Sequence, residues 1–172
     1  AAEFGYGSVQ INRQLAIGTR PLLLIMANYA GDPPLTNRNW DSLIFTGANS
    51  LSEYFREISN GRFRWTRAGN VQVNFSEPER QTLKTRNQII EATVRQTGLD
   101  FAAFDGNDAG VVTGDELSIL IVHNLTNAGG QTGSADLWLP SASSPPFYSL
   151  ITDLRACGVA DKDSFMAFCH EG

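Results

Sequence analysis

Two uninterrupted runs of apolar residues stand out along the chain. RPLLLIMANY covers residues 20–29 and is followed by GDPP, and LSILIVHN covers residues 117–124. Strands that are covered by helices on both faces carry apolar side chains without alternation. Both runs therefore predict buried strands of an α/β sheet, and the shorter run ADLWL at 135–139 predicts an edge strand.

A third stretch alternates between apolar and polar residues, as a half-buried strand does. RFRWTRAGNVQVNF, residues 62–75, places Phe63 and Trp65 on one face, and Val71 and Val73 follow the letters AGN. Glycine and asparagine are typical turn residues. The pattern predicts a β-hairpin that turns at AGN.

Apolar residues at helical spacing predict three helices. The first covers residues 50–60 and begins with Ser50 and Glu53 as an S-x-x-E capping box, and the second covers about 83–97. A glycine follows each of them, which favours termination of the helix. The third helix lies in DKDSFMAFCHEG at the end of the sequence, with an aspartate as its N-cap.

The predicted elements follow the order of an α/β layer arrangement: strand, helix, hairpin, helix, strand, edge strand and helix. The length of 172 residues and the apolar fraction of 42% are those of one globular domain. We therefore expect a single domain over 20–172, preceded by a loose N-terminal segment over 1–19.

The distribution of charge and apolar residues argues against two classes of partner. Thirteen basic residues are scattered among eighteen acidic ones, and the net charge is −5. Binding of nucleic acid needs clustered lysine and arginine, and a membrane span needs roughly 20 apolar residues in a row. We expect neither a nucleic-acid partner nor a membrane span.

The only two cysteines, Cys157 and Cys169, are twelve positions apart. They are either one disulfide in an oxidising compartment or two buried thiols. A disulfide would join the loop before the last helix to that helix.

The sequence ends with His170, Glu171 and Gly172, which match the start of the zinc-peptidase motif H-E-x-x-H. On a helix, that histidine binds the metal and the glutamate takes a proton from metal-bound water. A polar helix C-terminus, where the helix dipole favours histidine, is the alternative interpretation. The apolar face of the predicted helix, after the last predicted strand, favours the motif.

A second stretch, DGNDAGVVTGDE at 105–116, matches the calcium loop D-x-[DN]-x-[DN]-G-x₅-E at four positions. The oxygen ligands would come from Asp105, Asn107 and Glu116, with Thr113 ligating directly or through water. Ala109 has no oxygen to offer at the fifth position. A Gly- and Asp-rich turn that binds nothing is the alternative.

His123 stands at the end of the second buried strand, followed by Asn124. Sites in α/β sheets are built at strand ends. A lone histidine there is more often part of hydrogen-bonded structure, so both interpretations stay open.

Taken together, five stretches resemble the secreted immune-inhibitor-A-like zinc metallopeptidases. They are PLLLIMANYAGD, NSLSEYFREISNGRFRW, LDFAAFDGNDAGVVTGDELSILIVHN, DLW and the final HEG. The resemblance covers residues 20–172 and is most specific at 50–65.

The resemblance implies a zincin-like fold, a mixed twisted sheet with backing helices that ends in the zinc-binding helix. It implies zinc-dependent peptide hydrolysis outside the cell, with His170 as a zinc ligand and Glu171 as the general base. The second and third zinc ligands are missing, so we expect HEG to be the start of a truncated motif.

Two hypotheses follow for the function. The first is a secreted zinc endopeptidase that binds an extended peptide substrate along the edge strand, at Asp136, Leu137 and Trp138. The second is a calcium-stabilised binding module on the same scaffold, without catalysis. The residues encoded after Gly172 distinguish them, because a second histidine there completes the motif.

Overall fold

The computed structural model describes residues 17–107 and 112–125, together with the backbone of 133–137 and 154–160. The strands are β1 (Gly18–Tyr29), β2 (Phe63–Phe75), β3 (Ser118–His123), β4 (Gly133–Leu137) and β5 (Leu154–Ala160). The helices are α1 (Leu51–Ile58), α2 (Glu77–Thr82) and α3 (Arg86–Gln96), with a π-helical turn at Ser42–Thr46 and a 3₁₀ turn at Phe101–Phe104.

These strands form one mixed sheet in the order β2-β1-β3-β5-β4. Strands β2, β1, β3 and β5 run parallel, and β4 runs antiparallel to β5. The predicted α/β class is therefore confirmed. No helix in the described part of the chain is long and apolar enough to cross a membrane.

The two apolar runs form the centre of the sheet, as predicted. β1 begins at Gly18, two residues before the predicted strand, and β3 covers six of the eight predicted residues. Leu23 and Leu24 of β1 are fully buried although they point to opposite faces, since helices lie on both sides. The predicted edge strand is also present as β4, at the end of the sheet order.

The predicted hairpin at 62–75 is wrong, because β2 is one continuous strand parallel to β1. Leu22 pairs with Arg67 and Leu23 with Gly69, which leaves Ala68 as the extra residue of a bulge. Gly69 is not a turn residue here. Its backbone approaches the Leu23 side chain so closely that a Cβ at Gly69 would lie 3.0 Å from Leu23 Cδ1. A parallel pair needs a long crossover, and here α1 provides it.

The bulge also changes the face to which β2 side chains point. Phe63 and Trp65 pack on the same side as α1, whereas Val73 and Phe75 pack on the side of α3. In a strand of the same length without a bulge, the even sequence spacing of these four residues would put all of them on one face. The single strand β2 thus contributes to both hydrophobic layers.

Strand β5 was not predicted, and it corrects the position of Cys157. The sequence predicts a loop there, but Cys157 pairs with Leu120 of β3 and Ser134 of β4 inside the sheet. LRACGVA carries an arginine and a glycine and has no clear alternation. Pairing with two neighbouring strands decides its conformation.

The predicted helices at 50–60 and 83–97 are present in shortened form, as α1 and α3. Ser50 caps α1 by accepting a hydrogen bond from the backbone N–H of Glu53 at 3.2 Å. The Glu53 carboxylate, however, accepts from Arg56, so the reciprocal half of the capping box does not form. Instead, Thr85 and Gln88 form a complete capping box at α3. The third predicted helix lies outside the described residues.

The sheet is covered on both faces. On the α3 face, residues of β1, β2 and β3 pack against Ile90 and Val94 of α3 and against Phe101. On the α1 face, alternate residues of the same strands pack against Leu51 of α1 and against the π-helical turn through Ile44. The β1–β2 connection therefore runs over one face, and the β2–β3 connection runs over the other.

Candidate functional site

The structure describes some of the sequence-predicted site residues and not others. His170, Glu171, Trp138 and Cys169 lie outside the described residues. Asp136 and Leu137 lie in β4, the four candidate calcium ligands lie in the loop before β3, and His123 ends β3. The described candidates therefore occupy three separate places.

β4 forms the outer edge of the sheet beside β5. Asp136 pairs with Arg155, and Leu137 pairs with Leu154, in antiparallel register. No strand among the described residues pairs with the other side of β4. An edge strand presents unpaired backbone N–H and C=O groups, to which an extended peptide can add as a further strand.

The second place is the loop at 105–116, which the Glu116 carboxylate closes. One oxygen, Oε1, accepts a hydrogen bond from the Gly106 N–H at 3.1 Å. The other, Oε2, accepts from the Thr113 N–H at 2.9 Å and from the Thr113 hydroxyl at 3.0 Å. The carboxylate thus joins the two ends of the loop, which brings the candidate ligand positions together.

These hydrogen bonds favour the charged form of Glu116. The Thr113 N–H lowers the pKa of Glu116, and the negative charge of Asp105 opposes that shift. The two carboxylates are therefore close enough to repel each other. A cation between them would relieve this repulsion.

The rest of the loop agrees only partly with a calcium motif. Val112, at the normally apolar position, is fully buried on the α3 face. A 3₁₀ turn precedes the loop and β3 follows it, where an EF-hand has a helix on each side. Within the described residues, no group of three or more His, Cys, Asp or Glu is arranged to hold a metal ion.

The third place is the carboxyl end of the sheet between β1 and β3. The chain crosses from β1 to β2 on one side and later returns to β3 on the other side, so this is the topological switch point where α/β sheets bind ligands. At this point the Asn124 side chain, directly after β3, is hydrogen-bonded to the end of β1 and to the loop that follows it. Its Oδ1 accepts from the Tyr29 N–H at 2.8 Å, and its Nδ2 donates to the Tyr29 and Pro33 carbonyls at 3.0 and 2.8 Å.

Sequence reasoning missed the role of Asn124, although an amide directly after a buried strand was a usable signal. The residue is only 7% exposed, and its hydrogen bonds satisfy backbone groups of the β1 loop. His123 is half-buried beside Ala27 of β1 and Ala160 of β5. Asn124 therefore fixes the loop after β1 at the switch point.

The loop after β1 also contributes to this end of the sheet. The Oδ2 of Asp32 lies 3.8 Å from the Nε of Arg80 in α2, and both side chains are largely buried.

No protein-family model matches the chain, and no curated protein matches it. The described residues offer an open strand edge, a loop joined at its ends by a carboxylate, and a switch point where Asn124 binds the loop after β1.

Proposed function

We propose that this chain is the sheet-bearing part of a secreted zinc-dependent endopeptidase with a zincin-like fold. The observation that carries the proposal is the edge strand β4, which is antiparallel to its neighbour and open on its other side in the described structure. Such an edge accepts a peptide in extended form, and an extended backbone is what a peptidase must hold. The rest of the proposal comes from the sequence resemblance.

The path of the chain after the edge strand supports the same function. β5 follows β4 and runs parallel to β3, so the chain leaves β5 at Ala160 on the carboxyl-end side of the sheet. His170 follows ten residues later. A motif on that segment therefore starts from the strand next to the proposed peptide-binding edge.

The described residues do not supply a zinc site. The chain has two histidines, of which only His123 is described, and the described residues contain no cluster of metal-binding side chains. A catalytic zinc needs three protein ligands and an open position. The proposal therefore assigns the zinc to His170 and to ligands encoded after Gly172.

Each residue of the motif has a separate role in this proposal. His170 holds the metal as a neutral imidazole. Glu171 accepts a proton from the attacking water as the general base. Bound zinc supplies Lewis-acid activation for peptide hydrolysis.

The test uses the protein extended by the residues that its gene encodes after Gly172. We expect that the extended protein binds zinc and hydrolyses denatured casein. Glu171→Gln should retain zinc and lose most of the turnover, because the ligands remain while the base is removed. His170→Ala should lose both.

Two results would contradict the proposal. Full activity of the zinc-loaded Glu171→Gln protein would exclude Glu171 as the base. An extension without a second histidine, or with no zinc bound, would exclude the zinc peptidase and favour the calcium-stabilised module.

That second function rests on the arrangement of the 105–116 loop. The Glu116 carboxylate holds Gly106 and Thr113, and the charge of Asp105 acts on the same carboxylate. We expect weak calcium binding, because Ala109 offers no ligand oxygen. Calorimetry should show heat on titration with calcium, and Glu116→Gln should abolish it more completely than Thr113→Ala. A titration without heat, together with a melting temperature unchanged by millimolar calcium, would exclude the site.

A disulfide between Cys157 and Cys169 would fit a secreted protein. With Cys157 inside β5, the bond would tie the segment after the sheet to the sheet itself. We expect its loss to cost about 2–4 kcal/mol of unfolding free energy. Two free thiols in the unreduced native protein would exclude it.

A further inference from the structure

A cleft lies in the connection between β1 and α1, away from the three places described above. It has a volume of about 490 Å³ and is open to solvent. Its lining is more apolar than polar, and the polar residues in it are Arg38, Asn39, Ser42 and Asn49, beside Leu43, Gly47 and Ala48. The sequence patterns assigned no role to these residues.

The π-helical turn Ser42–Thr46 gives the cleft a defined wall. The Gly47 N–H donates to the Ser42 carbonyl at 2.7 Å, and a Cβ at Gly47 would lie 2.7 Å from that carbonyl oxygen. The turn therefore needs glycine at this position. Ile44 and Phe45 anchor it by packing on the α1 face. Widened turns of this kind are frequent at functional sites.

The Asn39 side chain holds the other side of the same turn. Its Oδ1 accepts a hydrogen bond from the Ser42 N–H at 2.9 Å. The amide nitrogen Nδ2 is a donor that this bond leaves unused. Asn39, Ser42 and Asn49 all line the cleft, and each has a side chain that can donate a hydrogen bond.

Arg38 differs from most arginines of the described chain. Arg20, Arg56, Arg67, Arg80 and Arg95 each form an ion pair with a carboxylate. Arg38 forms none with the described residues, and its guanidinium lies 5.6 Å from the centre of the buried Trp40 ring. Contact with an aromatic face limits the motion of the guanidinium, and its N–H groups remain able to donate hydrogen bonds to another partner.

The nearest acidic residue in the sequence does not neutralise Arg38. Asp41 pairs with Arg67, which also lies over the Phe45 ring. The cleft therefore combines a positive charge with three neutral side chains that can donate hydrogen bonds. This set is complementary to an oxyanion, since a guanidinium can bind a carboxylate or a phosphate through two parallel hydrogen bonds.

We propose that this cleft binds a small ligand through an anionic carboxylate or phosphate group, with Arg38 as the charge partner. The volume of the cleft exceeds that of one oxyanion, so the ligand carries a further body, which contacts Leu43 and Ala48 as well as the two asparagines. The Ser42 hydroxyl donates to the anionic group. This site is independent of zinc and of the peptidase proposal.

The test is an NMR titration of the ¹⁵N-labelled protein with sodium acetate and, separately, with inorganic phosphate, at constant ionic strength. We expect saturable shifts of the Ser42, Gly47 and Asn49 amide signals, with a dissociation constant of about 1 mM or below for one of the two anions. Whichever anion binds more tightly identifies the carboxylate or the phosphate as the natural group.

Two variants identify the residue responsible. Arg38→Ala should weaken binding by about tenfold or more, since hydrogen bonds to charged groups are the stronger ones. Arg38→Lys should give an intermediate loss, because an ammonium cannot form the two parallel bonds. Arg62→Ala is the matched control: Arg62 is also exposed and forms no ion pair with the described residues, but it does not line the cleft.

The proposal is overturned by either of two outcomes. One is the absence of saturable shifts with both anions in the wild-type protein. The other is an equal loss of binding in Arg38→Ala and Arg62→Ala, which would mean a general effect of positive charge. Unchanged amide spectra of the free variants, outside the immediate neighbours, show that the fold is retained.

Discussion

The two faces of the sheet are covered in different ways. On the α3 face, most buried residues are aliphatic, and a polar link joins sheet and helix: the Tyr29 hydroxyl donates to Thr93 Oγ1 at 2.5 Å, and Thr93 donates to the Ile89 carbonyl at 2.6 Å. On the α1 face, the rings of Phe55, Phe63 and Trp65 pack edge to face, with centroids 4.9–6.0 Å apart.

The rims of the two faces differ as well. Three arginines lie over aromatic rings on the α1 face: Arg20 over Phe63, Arg38 over Trp40 and Arg67 over Phe45. Guanidinium groups that stack on rings keep their charge at the surface while their stems cover apolar area. The α3 face thus carries a buried tyrosine–threonine link, whereas the α1 face carries three arginines over rings, of which Arg38 forms no ion pair with the described residues.

The largest loss of unfolding free energy is expected when a fully buried side chain at the centre of either face is shortened to alanine. Leu24 and Ile25 are neighbours in β1, both fully buried, and they point to the α1 face and the α3 face respectively. Leu24→Ala and Ile25→Ala should each lower the unfolding free energy by about 2–5 kcal/mol. Urea unfolding measures both values. A cost below about 1 kcal/mol for one variant would mean that its face is not packed as described.

The bulge in β2 decides which face the side chains after Arg67 cover, and two deletions test it. Deleting Ala68 removes the extra residue and leaves each neighbour on its present face, so the protein should fold with nearly unchanged stability. Deleting Gln72 moves Val71 to the opposite face, which should cost about 1.5 kcal/mol or more. Equal costs for the two deletions, by urea unfolding, would contradict the bulge.

Loss of the Tyr29–Thr93 hydrogen bond on the α3 face should lower the unfolding free energy less than Leu24→Ala or Ile25→Ala does. Tyr29→Phe should cost about 0.5–1.5 kcal/mol, because Thr93 keeps its bond to the Ile89 carbonyl. Phe75→Leu, which keeps the hydroxyl but removes the ring stacked at 4.7 Å, is a control for packing. An unfolding free energy of Tyr29→Phe equal to that of the wild type would contradict the link.

The raised pKa of Tyr29 leads to a prediction for the stability of the protein at alkaline pH. Burial raises the pKa of Tyr29 from 10.0 to about 12. The folded state keeps this proton longer than the unfolded state, so the contribution to stability is complete below pH 10 and is lost as the pH rises toward 12. Absorbance titration should show one of the four tyrosines ionising late, and Tyr29→Phe should remove that component.

The smallest effect is expected at the rim of the α1 face. Arg67 is about half exposed, pairs with Asp41 and lies 5.6 Å from the Phe45 ring centre. Arg67→Ala should cost about 0.5–1 kcal/mol, and Arg62→Ala should cost less. If the two losses are equal in urea unfolding, the ring contact contributes nothing.

The sequence predicted most of the elements and the α/β class. Uninterrupted apolar runs marked β1 and β3, the capping residue Ser50 marked the start of α1, and apolar residues at helical spacing marked α3, whose predicted start is three residues early. Those signals are local, because apolar periodicity and N-cap hydrogen bonds involve residues close in the chain. The two ends of the candidate calcium loop are joined by Glu116, through a local contact with Thr113 and a contact with Gly106 ten residues away.

The errors concern pairing between distant segments. The AGN letters of β2 read as a turn, but α1 carries the chain across the sheet, and β2 pairs with β1 in parallel. Strand β5 has no distinctive pattern, and it forms because it lies between β3 and β4. Neither arrangement can be derived from residues within one window, since backbone hydrogen bonding to a remote strand decides it.

The cleft at Arg38 shows the same division. Its arginine, asparagines and glycine are unremarkable in the sequence, where they form no motif. The folded chain places Arg38 over Trp40 and brings Arg67, 26 residues further along the chain, to Asp41, so that Asp41 does not pair with Arg38. The sequence by itself determined β1, β3, α1 and α3, because their apolar periodicity is local. The tertiary structure decided which strands pair, which face each side chain covers and which charge stays available, because those depend on contacts between residues far apart in the chain.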